Sequence, residues 1–172
     1  MLSLKYLQTY DKQLQLQVQQ LIDNDKLKAY ILSKYPVLHG YSSDKALYGY
    51  VMDLKNSTMK GGSPIAKVMY DTKIRDVNAA LGTHTYVSRV QGGKLKAKHE
   101  IRIAHIFKQM PEPFLKMIVT HELAHLKVKE HNKAFYKLCK HMEPEYHQLE
   151  FDLRIYLTYR EMFGSLWKTD GK

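Results

Sequence analysis

A chain of 172 residues, 44% hydrophobic and 26% charged, is long enough to bury one sizeable core and reads as a single domain over 1–172. Its 27 Lys and Arg against 17 Asp and Glu leave a net charge of +10, which suits weak attraction to polyanions such as nucleic acid, or else a solvated surface rich in lysine. A lone cysteine, Cys139, excludes an internal disulfide and a Cys-rich zinc module, and no apolar run is long enough to span a bilayer. The first residues, MLSLKYLQTYDKQ, lack a charged region followed by an apolar one, so the expectation is a cytoplasmic protein with no membrane partner.

Residues 3–35 are predicted helical, with Leu4, Leu7, Leu14, Val18, Leu21 and Ile22 approximating one stripe. Within them QLQLQVQQ also alternates with period two, so a strand is the local alternative. Asp23-Asn24-Asp25 breaks the run, a second helix reaches Lys34, and Pro36 and Gly40 end it. Ser42-Ser43-Asp44 caps a helix over 44–58, with Ala46, Leu47, Tyr50, Val51 and Leu54 on one side. Residues 1–62 thus form a helical N-terminal extension. Gly61-Gly62-Ser63-Pro64 is a turn, and Ile65–Tyr70 is a strand. A hairpin is predicted next: Thr85–Val90, a turn at Gln91-Gly92-Gly93-Lys94, then a returning arm from Leu95 to Ile106. In that arm Glu100, Ile101, Arg102, Ile103, Ala104 and His105 admit two readings. They border a cleft and pair with an extended substrate through the main chain, or they form an ordinary core strand.

Pro111-Glu112-Pro113 then opens a helix, with proline in the first turn and an acidic residue at the positive end of the dipole. Phe114, Leu115, Met117, Ile118, Val119, Leu123, Ala124 and Leu126 point nearly all round it, which predicts burial. Inside this run stands His121-Glu122-Leu123-Ala124-His125. Two histidines four apart share one helical face, so both imidazoles can reach one metal ion. Glu122 lies about 60° around the helix from His125, at roughly 100° per residue. It borders the metal without binding it, where a base must stand to deprotonate a metal-bound water. His131, six residues after His125, supplies a third ligand if the helix breaks between them. Three ligands and one open position make the usual catalytic zinc site. The plainer reading of His131 is a solvated loop histidine. Asn132 is placed to cap the following helix and so to fix His131.

Lys133–His141 is predicted helical, with Ala134, Phe135, Leu138 and Met142 inward. Pro144-Glu145 starts a last helix with Leu149, Leu153, Tyr156 and Leu157 along it, and 164–172 reads as a loose tail. Tyr146, His147 and Tyr156 follow the histidines on a neighbouring helix. They are candidates for stabilising an oxyanion, against the reading of ordinary packing or surface residues. His84, His99 and His105 are weighed in the same way, against the reading of packing or surface residues.

Residues 110–141, MPEPFLKMIVTHELAHLKVKEHNKAFYKLCKH, resemble the YgjP-like family of predicted metal-dependent hydrolases, grouped with zincin metallopeptidases. The shared features are Pro111 and Pro113, the apolar helix with His121–His125, then His131, Asn132-Lys133 and Phe135. The spacing to the third histidine is also similar to that of proteases acting on DNA–protein crosslinks. The likeness extends over about 65–160. It departs at Leu81-Gly82-Thr83-His84, where family members carry a W-G-S-C-like segment and only the glycine agrees.

The resemblance implies His121, His125 and His131 as metal ligands and Glu122 as base. The combined expectation is an α+β, zincin-like fold: N-terminal helices, a small antiparallel β-sheet packed on the H-E-x-x-H helix, and C-terminal helices. The expected activity is a Zn2+-dependent metallopeptidase acting on a peptide or protein. The alternative is a non-catalytic, metal-stabilised module whose basic surface contacts nucleic acid or a protein partner.

Overall fold

Short polar residues set where the first helices begin. The Asp11 carboxylate accepts from the Gln13 N–H at 2.6 Å and opens α1 (Lys12–Asp23). Asp25, with φ of 56°, makes the left-handed step into α2 (Leu27–Lys34). The Ser43 hydroxyl accepts from the Ala46 N–H at 3.0 Å and opens α3 (Asp44–Thr58). The computed structural model describes residues 4–82 and 99–167. In it QLQLQVQQ is helical; Val18 faces inward, while Leu16 stays 62% exposed.

β1 (Ile65–Asp71) is followed by α4 (Val77–Gly82) and then β2 (His99–Ala104). The mixed α+β class is as expected, but the two described strands run parallel, with Val68 opposite Ile101 and Tyr70 opposite Ile103. The antiparallel expectation came from the hairpin. Its first arm, its turn and His84 lie outside the described residues. Alternation of side chains is the same for either strand direction, so it could not decide between them. A parallel pair needs a long connection, and the sequence separates the two strands by residues 72–98. β2 also ends earlier than expected, because His105–Gln109 turn into a 3-10 helix.

The centre of the molecule is α5 (Glu112–Ala124), which packs against α3, β2, α6 (Lys133–Met142) and α7 (Tyr146–Phe163). Phe114, Leu115, Met117, Val119, Leu123 and Ala124 are fully buried, consistent with side chains pointing all round the helix. Polar ties hold the surrounding helices in place. The Tyr50 hydroxyl donates to Glu112 at 2.5 Å, joining α3 to α5. Asp152 on α7 accepts from Tyr30 at 2.8 Å, Tyr35 at 2.5 Å and Lys34 at 2.6 Å, joining α2 to α7. Arg154 bonds Glu150 at 3.0 Å and also the Asn78 side chain, joining α7 to α4.

The segment after α7 was expected to be loose. Instead Gly164, at φ of 83°, turns the chain back and Trp167 is buried. Its indole N–H donates to the Tyr35 carbonyl at 2.8 Å, and its ring lies against Phe114 and Tyr156. No helix of the described residues is long and apolar enough to cross a membrane.

Candidate metal centre

The active stretch begins in the last turn of α5, where His121 is 1% exposed and Glu122 is partly buried. The helix ends at Ala124, with His125 still near helical backbone angles at φ −65° and ψ −16°. Backbone bonds from Leu126 to Leu123, and from Lys127 and Val128 to Ala124, close a tight turn. The chain reverses and delivers His131. Asn132 then accepts from the Phe135 N–H at 3.0 Å and starts α6, so one cap fixes both the new helix and the residue before it.

The result is a triangle of ring nitrogens. Nε2 of His125 lies 3.2 Å from Nε2 of His121 and 3.0 Å from that of His131, and the third side is 3.2 Å. Phe135 lies beneath all three, with ring centroids 4.9, 4.5 and 5.0 Å from His121, His125 and His131. Nitrogen ligands at about 2.0–2.1 Å from a tetrahedral zinc stand ~3.3 Å apart, so the triangle has the size a cation needs.

The outward nitrogens agree with this donor set. His125 Nδ1 lies 3.0 Å from the Val128 carbonyl, which can only accept, so Nδ1 carries the proton and Nε2 keeps its lone pair. His121 Nδ1 lies 2.7 Å from the Tyr146 hydroxyl. Burial first, and then the neighbouring His125 and His131, pull the pKa of His121 well below its usual value, keeping it neutral for a metal.

Glu122 stands beside the triangle without joining it. Burial raises its carboxyl to about 7, and among the described residues no hydrogen bond to it is seen. A carboxylate without a structural partner is available to take a proton.

The remaining sequence candidates fall elsewhere. Tyr146 is wholly buried, and burial pushes its phenol well above the ordinary tyrosine value, so it remains a neutral hydroxyl. Its oxygen is engaged with Nδ1 of His121, the ring nitrogen facing away from the triangle, a place suited to positioning that imidazole rather than to meeting an oxyanion. Tyr156 is 1% exposed in the aromatic cluster with Phe114 and Trp167, a packing role. His147 is exposed beside Tyr136, at 5.4 Å between ring centroids.

Of the strand expected to border a cleft, Ile101, Ile103 and Ala104 are buried core residues. Glu100 and Arg102 pair with each other at 3.1 Å, and Arg102 reaches Asp71 at 3.0 Å. His105 starts the 3-10 helix against Tyr70. The alternation that marked this strand places every second side chain in the core, which supports the core-strand reading.

The sequence pattern gives α6 a packing role alone. The structure instead shows a groove of about 590 Å3 beside His131, walled by Lys133, Tyr136, Lys137, Lys140 and His147. The repeat of lysine at four and then three residues was the sequence signal for it.

A family model described as YgjP-like, metallopeptidase domain, matches residues 88–156. A protein of Escherichia coli (strain K12) named UTP pyrophosphatase is 61% identical over 158 residues, covering 92% of this chain and 95% of that one. The chain belongs to the YgjP-like family. No solved structure matches it. For this member of the family the peptidase expectation is overturned, because a relative of such high identity is named for a pyrophosphatase acting on a nucleotide. The broader expectation, a hydrolase with a metal-binding histidine cluster, agrees with the relative, the family and the three converging imidazoles.

Proposed function

We propose that this chain is a metal-dependent nucleotide pyrophosphatase that hydrolyses UTP to UMP and pyrophosphate. The observation that carries the reading is the 61% identity to a UTP pyrophosphatase along nearly the whole chain. The three-histidine triangle supports it, since it offers a cation site of the right size. Three imidazoles favour zinc among common divalent ions.

A cation held by His121, His125 and His131 would supply a Lewis acid for phosphate oxygens and make water easier to deprotonate. Glu122 takes the proton from the attacking water. The water oxygen forms a bond to one phosphorus of the α–β anhydride. The bond from that phosphorus to the bridging oxygen breaks, and the electron pair leaves on the bridging oxygen. The Val128 carbonyl holds His125 in one tautomer and the Tyr146 hydroxyl orients the ring of His121, so the donor set is oriented before substrate arrives. Phe135 packs its ring against all three imidazoles and so helps to hold their orientation.

The test is direct. Protein loaded in turn with zinc, manganese and magnesium is given UTP, and products are followed by phosphorus NMR. UMP and pyrophosphate in equal amounts are expected. UDP with orthophosphate, or no turnover with any metal, refutes the reading. Glu122→Gln is expected to retain bound metal and lose about two to four orders of magnitude in kcat, the usual scale of a positioned base.

A further inference from the structure

The face of α6 beside the histidines has no structural explanation of its own. Lys133, Lys137 and Lys140 are all exposed. At roughly 100° per residue they lie within about 60° of one another, and at 1.5 Å rise per residue they span about 10 Å of the axis. None of the three makes an ion pair among the described residues, whereas Lys5, Lys34, Lys116, Arg102 and Arg154 all do. The acidic residue nearest the end of the helix, Glu143, is taken by Lys116 at 2.6 Å.

Two features make the arrangement unfavourable for the helix alone. Like charges four apart repel. Lys133 also occupies the first helical position, where the backbone dipole favours an anion rather than a cation. Both costs vanish when an anion lies over the face. The groove formed by these lysines begins at His131, whose Nε2 belongs to the triangle. Tyr136 and His147 wall it with two rings.

We propose that this groove is a polyphosphate track, and that Lys133, Lys137 and Lys140 hold the terminal phosphates of the substrate and then the pyrophosphate released from it. The place of the track in a reaction rests on the proposed nucleotide pyrophosphatase activity. Its affinity for a phosphate chain does not. One end of the chain lies at the imidazoles, and the rest runs outward along α6. The uncompensated charge attracts the most highly charged end of a nucleoside triphosphate, so the chain length of the phosphate, more than the base, sets recognition at this surface.

The probe is inorganic tripolyphosphate, titrated by calorimetry into the metal-loaded full chain at low and high salt. The comparison is with a Lys133→Ala, Lys137→Ala, Lys140→Ala variant. Alanine at exposed helical positions preserves the helix, and circular dichroism and metal content measured after titration check that it has. The variant is expected to bind tripolyphosphate about tenfold more weakly or worse, with a shallower salt dependence. A Lys12→Ala, Lys28→Ala, Lys45→Ala variant removes the same net charge from exposed positions elsewhere and is expected to bind as the parent does. Arginine at the three α6 positions is expected to restore binding. With UTP, the alanine variant is expected to raise KM far more than it lowers kcat.

Unchanged tripolyphosphate affinity in the alanine variant overturns the proposal, even if the parent hydrolyses UTP. So does an equal loss in the control variant, which assigns the binding to net charge alone. If the parent binds tripolyphosphate through these lysines but hydrolyses no UTP, the track stands and the reading of the reaction fails.

Discussion

Removing one oxygen from Tyr146 separates a ligand-positioning role from a catalytic one. Its hydroxyl lies 2.7 Å from His121 Nδ1, in a wholly buried setting. With a metal held at Nε2 of His121, as proposed, Nδ1 would carry the proton and the tyrosine oxygen would accept it. In Tyr146→Phe that N–H loses its partner and cannot reach water. Orphaning a buried donor costs about 1–3 kcal/mol. At 1.4 kcal/mol per factor of ten, the loss corresponds to roughly 10–100-fold in metal affinity, the range seen when such outer partners are removed. The affinity is read by competition with a chromophoric chelator. The metal-free protein is also expected to melt lower, by about 2–4 °C per kcal/mol for a chain of this size. Saturating metal is expected to restore most of the turnover. The opposite pattern, metal affinity within twofold of the parent and kcat reduced at saturating metal, refutes the reasoning and returns Tyr146 to the reacting centre.

Trp167→Ala removes a buried ring and the indole bond to Tyr35, so a loss of about 3–5 kcal/mol is expected in urea unfolding, against almost none if the tail is loose. Cys139 is fully buried and burial pushes its thiol up to about 12, so at pH 8 it is expected to resist a thiol reagent that titrates it fully in denaturant. Asp71 has its carboxyl held below the usual range, first by the Lys73 backbone N–H and then by Arg102. Its stabilising contribution is present above the unfolded carboxylate pKa of about 3.9 and lost as pH falls through the depressed folded value. Asp71→Asn is therefore expected to flatten the acid limb of the stability curve between about pH 5 and 2, and an unchanged limb counts against the assignment.

Local chemistry was readable from the sequence wherever neighbours within a turn or two decide the outcome. The i, i+4 histidines, the Glu122 between them, the Asn132 cap and the all-round apolar surface of α5 are of this kind. Ser43 marked the start of α3 because a cap needs only the residues beside it. The sequence alone also suggested that His131 would join the pair, but only the turn over 125–128 brings its nitrogen within 3.0 Å of His125.

Tertiary structure decided what depends on distant partners. The direction of β2 is set by its pairing with β1, which its own alternation does not reveal. The burial of Trp167 follows from the space between Phe114, Tyr156 and Tyr35. Tyr146 became a support for His121 because α7 passes behind α5, a contact between residues 25 positions apart. The substrate lay beyond both levels. H-E-x-x-H sets two imidazoles and a carboxylate together, a group suited to activating water, and that chemistry serves phosphoanhydrides as well as amides without naming which. Which bond is cut depends on the surface around the histidines, and the fold sets Lys133, Lys137 and Lys140 of α6 beside His131, the surface proposed above to hold phosphate.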